Sequence, residues 1–364
     1  MDSTTSDSWA HDGRKFRTIR FAKEIDEKIK ALNRLDNWHA PLGYLRDVAV
    51  IAAAVVLCVR LSWWSYPVAL VLIGSRQRAF SNLLHESAHG MLAANRRLNL
   101  VLGTVLSAYP IFQTHYGYKR AHVATHHPKL GDPEQDPDLK YFIEEGVYRP
   151  GTKRQLVLRM IILPAIGSKV VSHLYFLFRD RIRRLGSTGA EQEVLNEYWS
   201  VRTRRDKRAF LVFWAAVAGV VTTTGTVAEF VLFWLVPYLT AFQIIGWYIE
   251  LSEHTPAVKF TNVDLYMTRN RKSRGLERFL TGTYADHHHL DHHLDPRTPY
   301  WNLEAAHRIR LADPRYAEVD RSFGGLFTRG PQAQPSALSD IVRRLAEYHS
   351  AKRSTGSAAV REAV

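Results

Sequence analysis

The chain is almost without cysteine. Its 364 residues include one, Cys58. A single thiol excludes a disulfide framework, a four-cysteine zinc site and an iron–sulfur or rubredoxin-like centre within this chain. An early apolar run is also missing, because the first long one begins near residue 47. We therefore expect no secretory signal peptide.

Acidic charge is in short supply. The chain has 49 Lys and Arg residues against 35 Asp and Glu, a formal net charge of +14. Such a balance is typical of proteins that bind nucleic acid or lie at an anionic membrane surface. The basic runs lack the interleaved aromatic residues and the modules of nucleic-acid binders, so we predict no nucleic-acid partner.

Two pairs of long apolar runs interrupt the polar chain, at 47–62 with 66–84 and at 209–224 with 228–250. Each is close to the roughly 20 residues that a helix needs to cross a bilayer, and aromatic residues at the run ends suit the membrane interface. We predict four membrane-spanning helices in two hairpins. Hairpins buried in a soluble core are the alternative. Two further stretches, 98–113 and 155–178, are predicted to be interfacial or re-entrant helices.

Basic residues flank the two hairpins. They concentrate before residue 47, in "RDRIRRLG" at 179–186, in "RTRRDKR" at 202–208 and in the tail after 254. The positive-inside rule places these segments in the cytoplasm. We divide the chain into a cytoplasmic N-terminal segment (1–46), a membrane catalytic domain with its cap (47–296) and a cytoplasmic C-terminal segment (297–364). The last part of that segment is predicted to be disordered, since "RGPQAQPSALSD" is typical of a linker.

Histidines recur in three clusters on the predicted cytoplasmic side. "HESAHG", "HVATHH" and "HLDHH" place rings three or four residues apart, the spacing that aligns side chains on one helical face. A further histidine follows the fourth apolar run. One such pair is weak evidence, but three clusters at one membrane face predict a metal site. The candidate ligands are His85, His89, His122, His126, His127, His254, His289, His292 and His293.

The number of histidines indicates more than one metal ion. Imidazole suits zinc, copper, iron and nickel, and one structural zinc needs only four ligands. "HESAH" is similar to the zinc-protease motif HExxH, but a protease would leave the other clusters unexplained. Nine ligands suggest two ions with open positions, as in an oxygen-activating centre. Nearby polar groups would hold the rings by hydrogen bonds: Glu86, Asp136, Glu250, Asp286 and His287. For Asp132 and Asp295 a surface charge is the favoured interpretation.

The three motifs together resemble those of the membrane fatty acid desaturase and hydroxylase superfamily. H-x-x-x-H, H-x-x-x-H-H and H-x-x-H-H occur in that order, the second is followed by "DPDL" and the third continues as "HHLDP". The resemblance covers residues 44–296 and implies an all-α, four-helix membrane bundle with interfacial helices and a cytoplasmic helical cap. The cap would carry two iron ions (Fe²⁺) held by the nine histidines. Either His287 or His288 could replace a ligand of the third motif.

The same resemblance implies an oxidoreductase that uses O₂ and an external electron donor of the ferredoxin or cytochrome b5 type. We predict a desaturase that introduces a C=C bond into a fatty acyl chain. One alternative is a desaturase or hydroxylase of a small amino-acid-derived metabolite, and another is a histidine-lined metal transporter. Arg76 and Arg78 lie within an apolar run, where polar groups are costly and often functional. They are candidate substrate-binding residues.

Overall fold

The structure is a computed structural model that describes residues 9–10, 16–179 and 197–361, without the side chains of 197–198 and 354–361. Arg14, Lys15 and most of the basic run at 179–186, all predicted to be cytoplasmic, lie outside these residues. The described residues are almost entirely helical or in turns, and they contain no β-strand beyond one isolated bridge between Arg17 and Val263. The prediction of an all-α fold is confirmed.

The α-helices are short except for those that coincide with the apolar runs and one near the C-terminus. In chain order they are α1 (Lys23–Ala31), α2 (His39–Val56), α3 (Tyr66–His89), α4 (Arg96–Leu100), α5 (His115–Lys119), α6 (Pro137–Glu144), α7 (Lys153–Val157), α8 (Leu163–Ala165), α9 (Val170–Leu177), α10 (Glu197–Thr223), α11 (Val227–Phe230), α12 (Gln243–His254), α13 (Ala257–Phe260), α14 (Asp264–Met267), α15 (Gly275–Thr281), α16 (His289–Leu294), α17 (Leu303–Arg310), α18 (Pro314–Arg321) and α19 (Ala337–Arg361).

Several helices are continued or joined by wider π-helical turns. These are Leu57–Leu61, Val101–Ala108, Arg120–His126, Leu158–Ile162, Val231–Leu235 and Tyr238–Phe242. A π-helical turn bonds residue i to i+5 and is frequent at functional sites. The turn at Arg120–His126 contains the second histidine motif, so the ring directions there depart from those of an α-helix.

Two helices among the described residues are long and apolar enough to cross a membrane. They are His39–Leu61 and Val227–Phe260, which coincide with the first and fourth predicted spans. The first exposes large apolar side chains, with Leu42 at 56% and Leu45 at 59% of their full accessibility. Such exposure of apolar side chains is unfavourable in water, whereas in a bilayer the lipid chains would cover them.

The second and third predicted spans are also helical, as α3 and α10. Neither is apolar enough along its length to stand as a candidate span by itself. In α3 the polar sequence "RQR" at 76–78 interrupts the apolar run, and these side chains are buried by neighbouring helices. The count of four spans therefore remains a prediction for these two helices.

The second stretch predicted to be interfacial or re-entrant, 155–178, is sharply bent. Lys153–Ala165 and Val170–Leu177 meet at 76°. Gly167 lies at the bend with a φ of +84°, a left-handed conformation that glycine adopts without a steric penalty. The bend is typical of either a broken span or a re-entrant loop.

Helix α3 lies at the centre of the fold and carries the first histidine motif. The π-helical segment Val101–Ala108 packs so closely against it that a Cβ added to Gly103 would lie 2.0 Å from Ser87 Cβ. On another side, a Cβ added to Gly74 would lie 2.6 Å from Ala241 Cβ. Close packing on both sides fixes the direction in which the histidines of α3 point.

The residues after 297 pack against the rest of the protein. In α19, Leu338, Ile341 and Leu345 are buried in one cluster with Leu156 and Trp247. The segment predicted as a linker therefore leads into a helix that contacts α7 and α12. The three-part division of the chain stays a prediction, and residues 362–364, the end of the predicted disordered part, lie outside the described residues.

Candidate metal centre

The nine predicted histidines converge in two adjoining clusters. Cluster 1 contains five rings whose nearest nitrogens all lie within 4.8 Å of one another, and cluster 2 contains the other four. The members of cluster 1 are His85, His89, His122, His127 and His292. The members of cluster 2 are His126, His254, His289 and His293.

Cluster 1 is built from three parts of the chain. The end of α3 provides His85 and His89, and α16 provides His292. His122 lies in the Arg120–His126 turn, and His127 follows that turn directly. His127 Nε2 lies 3.1 Å from His122 Nε2 and 3.3 Å from His292 Nε2. The Nε2 atoms of His85 and His89 are buried without a hydrogen-bond partner among the described residues. Buried nitrogens that face one another without a donor or acceptor are costly unless something binds between them.

Cluster 2 is centred on the end of α12. His289 Nε2 lies 3.1 Å from both His254 Nε2 and His293 Nε2. The ring of His126 stands 4.9 Å from that of His254. A carboxylate approaches as well, since Glu253 Oε2 is 3.6 Å from His289 Nε2. Cluster 2 therefore offers four imidazoles and one carboxylate.

The second histidine motif divides between the two clusters because of its π-helical turn. His122 and His127 are five residues apart, one π-helical turn, and both face cluster 1. His126 lies between them in sequence and faces cluster 2. The spacing of an α-helix pairs His122 with His126 instead, so this partition could not be read from the motif.

The donor set has the geometry of a metal site. Ligand nitrogens about 2.1 Å from one ion, at right angles or wider, lie at least roughly 3 Å apart. The observed separations of 3.1–3.3 Å match that requirement. Imidazole with carboxylate suits iron, and the lack of thiolates argues against a site for a softer metal. The residues present thus fit two iron ions.

Three imidazoles of cluster 1 are shifted towards the neutral form that a metal ligand requires. Burial, followed by the neighbouring histidines, lowers the pKa of His122, His127 and His292 well below the ordinary value. Protonated rings so close together would repel one another in a site with little water. A bound cation would meet lone pairs instead.

Asp136, predicted to support a ligand, lies beside the ring of His126. Its Oδ1 lies 2.8 Å from His126 Nδ1, which leaves His126 Nε2 directed at cluster 2. The same carboxylate accepts the backbone N–H groups of Asp138 and Leu139 and thereby caps α6. Burial raises the pKa of Asp136, but the charge and hydrogen bond of His126 and the N–H donors outweigh it and hold the pKa below its usual value.

The other predicted supporting residues have varied partners. Glu86 Oε1 lies 3.5 Å from His85 Nδ1, and Glu86 Oε2 accepts the N–H of Tyr300. Asp286 accepts a hydrogen bond from Arg271 rather than from a histidine. His287 belongs to neither cluster and lines a surface pocket, and His288 lies beside Asp291 outside both clusters.

The two candidate substrate-binding arginines have different surroundings. Arg76 Nη1 donates to Asp47 at 3.1 Å and Arg76 Nη2 donates to the carbonyl of Phe279, an arrangement that joins α2, α3 and α15. Arg78 lines a cavity beside the histidines and donates to Glu250 Oε1 at 3.0 Å. Its position supports a role toward substrate, whereas that of Arg76 supports a role in joining helices.

The cavity beside Arg78 reaches both clusters. Its lining includes His85 and His122 of cluster 1 and His126, His254 and His289 of cluster 2. Apolar side chains form another wall, namely Leu139, Phe142, Phe176, Leu177, Phe242 and Val258. An organic molecule in this cavity would meet the candidate metal positions directly.

Comparison with known proteins identifies the family. The family model described as fatty acid desaturase matches residues 61–323, well over half of the chain. The chain belongs to the fatty acid desaturase family. It is an oxidoreductase, and the predicted resemblance is confirmed. Family membership leaves the metal-transporter alternative without support.

The similar proteins act on different kinds of molecule. The chain is 39% identical over 339 residues to dihydrorhizobitoxine desaturase of Bradyrhizobium elkanii. This alignment covers 93% of this chain and 94% of that protein. The chain is 25% identical over 334 residues to the chloroplastic omega-3 fatty acid desaturase of Glycine max (86% and 68%). It is 24% identical over 303 residues to the chloroplastic sn-2 acyl-lipid omega-3 desaturase (ferredoxin) of Arabidopsis thaliana (78% and 64%).

The described residues contain a third cluster of possible ligands that sequence reasoning missed, formed by His288, Asp291 and His307. Asp291 already accepts hydrogen bonds from Asn270, Tyr316 and Arg310. Burial raises the pKa of Asp291, but hydrogen bonds from His288 and His307 and the charge of Arg310 lower it below its usual value. With these partners the Asp291 carboxylate stabilises the position of α16 and is not available to bind a third ion.

Proposed function

We propose that this desaturase is an O₂-dependent di-iron enzyme that introduces a C=C bond into a small polar metabolite derived from an amino acid. The observation that carries the substrate class is the ion pair of Arg78 with Glu250 in the wall of the cavity that reaches both histidine clusters. The similarity to dihydrorhizobitoxine desaturase over nearly the whole chain is consistent with this class.

A fatty acyl chain is the second candidate substrate. The names of the plant relatives and the apolar wall of the cavity favour it. An acyl tail gains nothing from the charged groups on the opposite wall, however. Buried polar groups left without partners cost free energy on binding. The cavity therefore suits a substrate that is polar at one end and apolar along its chain.

The nine histidines would hold two iron ions, five rings around one and four with Glu253 around the other. Iron bound there supplies the activation of O₂ needed to remove hydrogen from an unactivated C–H bond. The balanced reaction takes two hydrogens from adjacent substrate carbons, one O₂, two electrons and two protons, and yields an alkene and two waters. Asp136 and Glu86 orient the rings, and the buried clusters exclude bulk water.

We expect the two electrons to come from another protein, because the single cysteine excludes an iron–sulfur centre within this chain. A basic surface pocket is a suitable docking point for an acidic donor such as a ferredoxin. It is lined by Lys272, Arg274, Arg278 and Arg308, which outnumber the acidic residues Glu304 and Asp320 in the same lining. His288 lines this pocket and also a small inner cavity shared with His85, His289 and His292. His288 therefore lies between the surface pocket and the histidine clusters.

We place the protein in the membrane with four spanning segments and its metal centre on the cytoplasmic side. The two apolar helices and the basic segments that flank them support this orientation. His85 and His89 lie in the last turns of α3 and His254 is the last residue of α12, which is consistent with ligands at one membrane surface. The lipid bilayer is thus a structural partner.

Product analysis tests the proposed reaction. The full chain is expressed in a host with a ferredoxin system and supplied with candidate substrates, and products are analysed by mass spectrometry. Loss of two hydrogens from a small amino-acid-derived compound, dependent on O₂ and iron, is expected. Gain of one oxygen would indicate a hydroxylase, and exclusive desaturation of membrane lipids would favour the acyl alternative.

A further inference from the structure

The Arg78–Glu250 ion pair lies where a substrate can reach it. Arg78 Nη1 donates to Glu250 Oε1 at 3.0 Å, and the two side chains are 11% and 29% exposed. Both line the cavity that reaches the metal clusters. An ion pair needed only to hold two helices together would be expected away from this cavity, as is the pair formed by Lys169 and Glu145 at 2.6 Å.

Other polar atoms around the pair point to a ligand. Arg78 Nε and Gln113 Oε1 are buried without a hydrogen-bond partner among the described residues, and both residues line the cavity. His173 Nε2 stands 3.7 Å from the second oxygen of Glu250. Buried polar atoms usually find partners, so these positions mark where a polar molecule completes the site.

The neighbouring carboxylates are already engaged. Arg271 donates to Asp286 at 2.5 Å and lies 3.7 Å from Glu253. Arg78 and Glu250 can therefore exchange their mutual ion pair for ion pairs with a substrate. The ion pairs of Arg271 would remain intact.

We propose that this pair is the recognition site for a zwitterionic end group, with a substrate carboxylate on Arg78 and a substrate ammonium on Glu250. The inference rests on the proposed function and names the residues that select its substrate. An α-amino acid end replaces one ion pair by two and leaves every charge compensated. A simple carboxylic acid would occupy Arg78 and leave Glu250 unpaired in a largely buried site, which is strongly unfavourable.

The pair also sets the position of the new double bond. Arg78 precedes His85 by seven residues in α3, about 10 Å along the helix, and Glu250 precedes His254 by four residues in α12, about 6 Å. A substrate anchored at its charged end reaches the metal positions only through several bonds of chain. The apolar wall at Leu139 and Phe142 lies beside that chain. We therefore expect desaturation remote from the α-carbon.

Binding of three matched probes tests the proposal. L-2-aminooctanoate, octanoate and octylamine share one carbon chain and differ in the charged groups at its end. Titration calorimetry on the purified full chain at pH 7 gives their dissociation constants. A site built to bond a polar group discriminates strongly against analogues without it. Because Glu250 is partly exposed, we expect a preference of about 100-fold or more for the zwitterion over each of the other probes.

Variants assign the preference to the pair. Glu250→Gln should reduce the preference for the zwitterion over octanoate at least tenfold, because the neutral amide no longer compensates the ammonium. The matched control is Glu145→Gln, which removes the carboxylate of the Lys169 ion pair away from the cavity and should keep the wild-type preference. Arg78→Lys, which keeps the charge but not the planar fork, should weaken binding of both carboxylate probes.

The proposal is overturned if the wild-type protein binds octanoate as tightly as L-2-aminooctanoate, or if Glu145→Gln changes the preference as much as Glu250→Gln does. The comparison of probes on the wild-type chain needs no variant to fold. Calorimetry also requires no turnover. A protein with the predicted preference but without O₂-dependent desaturation would contradict the proposed function while supporting this recognition site.

Discussion

The bond between Asp136 and His126 offers a quantitative test of how the protein supports its ligands. Replacing Asp136 by Ala removes the acceptor 2.8 Å from His126 Nδ1 and the N-cap of α6. Loss of the cap costs about 1 kcal/mol in unfolding free energy. The ring N–H of His126 loses its nearest acceptor, with Asp138 Oδ2 remaining 3.5 Å away, which costs up to about 1–3 kcal/mol more. Loss of such a supporting carboxylate typically lowers metal affinity about 10–100-fold.

The assay is a competition for iron between the protein and a chelator of known affinity, with thermal unfolding measured in parallel. Asp136→Asn should fall between wild type and Asp136→Ala, because asparagine caps a helix as well as aspartate does and keeps one acceptor oxygen. The control is Thr152→Ala, which removes the N-cap of α7 at a distance from the histidines. Unchanged iron affinity in Asp136→Ala, or an equal loss in Thr152→Ala, would refute the reasoning.

Three further expectations concern packing, pH and electron supply. Gly103→Ala should lower the free energy of unfolding by about 1–3 kcal/mol, because the added Cβ would overlap Ser87. The control Gly219→Ala places its Cβ in open space in α10 and should leave the stability unchanged. Equal melting temperatures of the two variants would contradict this expectation. Burial raises the pKa of Glu277, but hydrogen-bond donors around the carboxylate, among them the N–H groups at 326–328, lower it below its usual value. The stability that this carboxylate adds is thus complete above its unfolded-state pKa and disappears as pH falls through the folded value. The difference in melting temperature between the wild type and Glu277→Gln should therefore decrease from pH 7 to pH 4. A difference that stays constant over this range would contradict the expectation. Turnover with ferredoxin should weaken with rising salt while turnover with a chemical reductant does not, and an equal response of both would argue against a basic docking pocket.

The convergence of the histidines could be predicted in part from sequence, because the helical spacing within each motif is encoded locally. His85 and His89 share a face at the end of α3, and His254 is the last residue of α12. The partition into clusters could not be predicted. It depends on a π-helical turn at Arg120–His126, which no feature of the sequence "RAHVATH" distinguishes from an α-helical one.

The roles of the two arginines show the same limit. Arg76 and Arg78 are two residues apart in one helix and therefore point to different sides of it. Their partners, Asp47 and Glu250, lie 29 and 172 residues away in sequence. Sequence alone could say that a charge in an apolar run needs a partner, but the choice between a helix contact and a cavity wall is made by tertiary packing.

The segment after 297 is predicted from sequence to be a separate cytoplasmic segment with a disordered end, since its composition is polar and its linker contains proline and glycine. The structure packs α17, α18 and α19 against earlier helices, and Tyr316 of α18 bonds Asp291 between the ligands of α16. A few apolar residues in an otherwise polar helix, such as Leu338 and Leu345 of α19, are enough for such packing when they share one face.

The iron content of single-cluster variants tests the central claim most directly. Two adjoining clusters predict two irons per chain in the wild type, and His89→Ala in cluster 1 and His254→Ala in cluster 2 should each lose iron relative to it. The measurement is metal analysis by mass spectrometry on the purified, folded chain loaded under anaerobic conditions. Iron loss in both variants supports a site shared between these clusters. A wild-type chain that binds one iron, or variants that keep the full iron content, would contradict it.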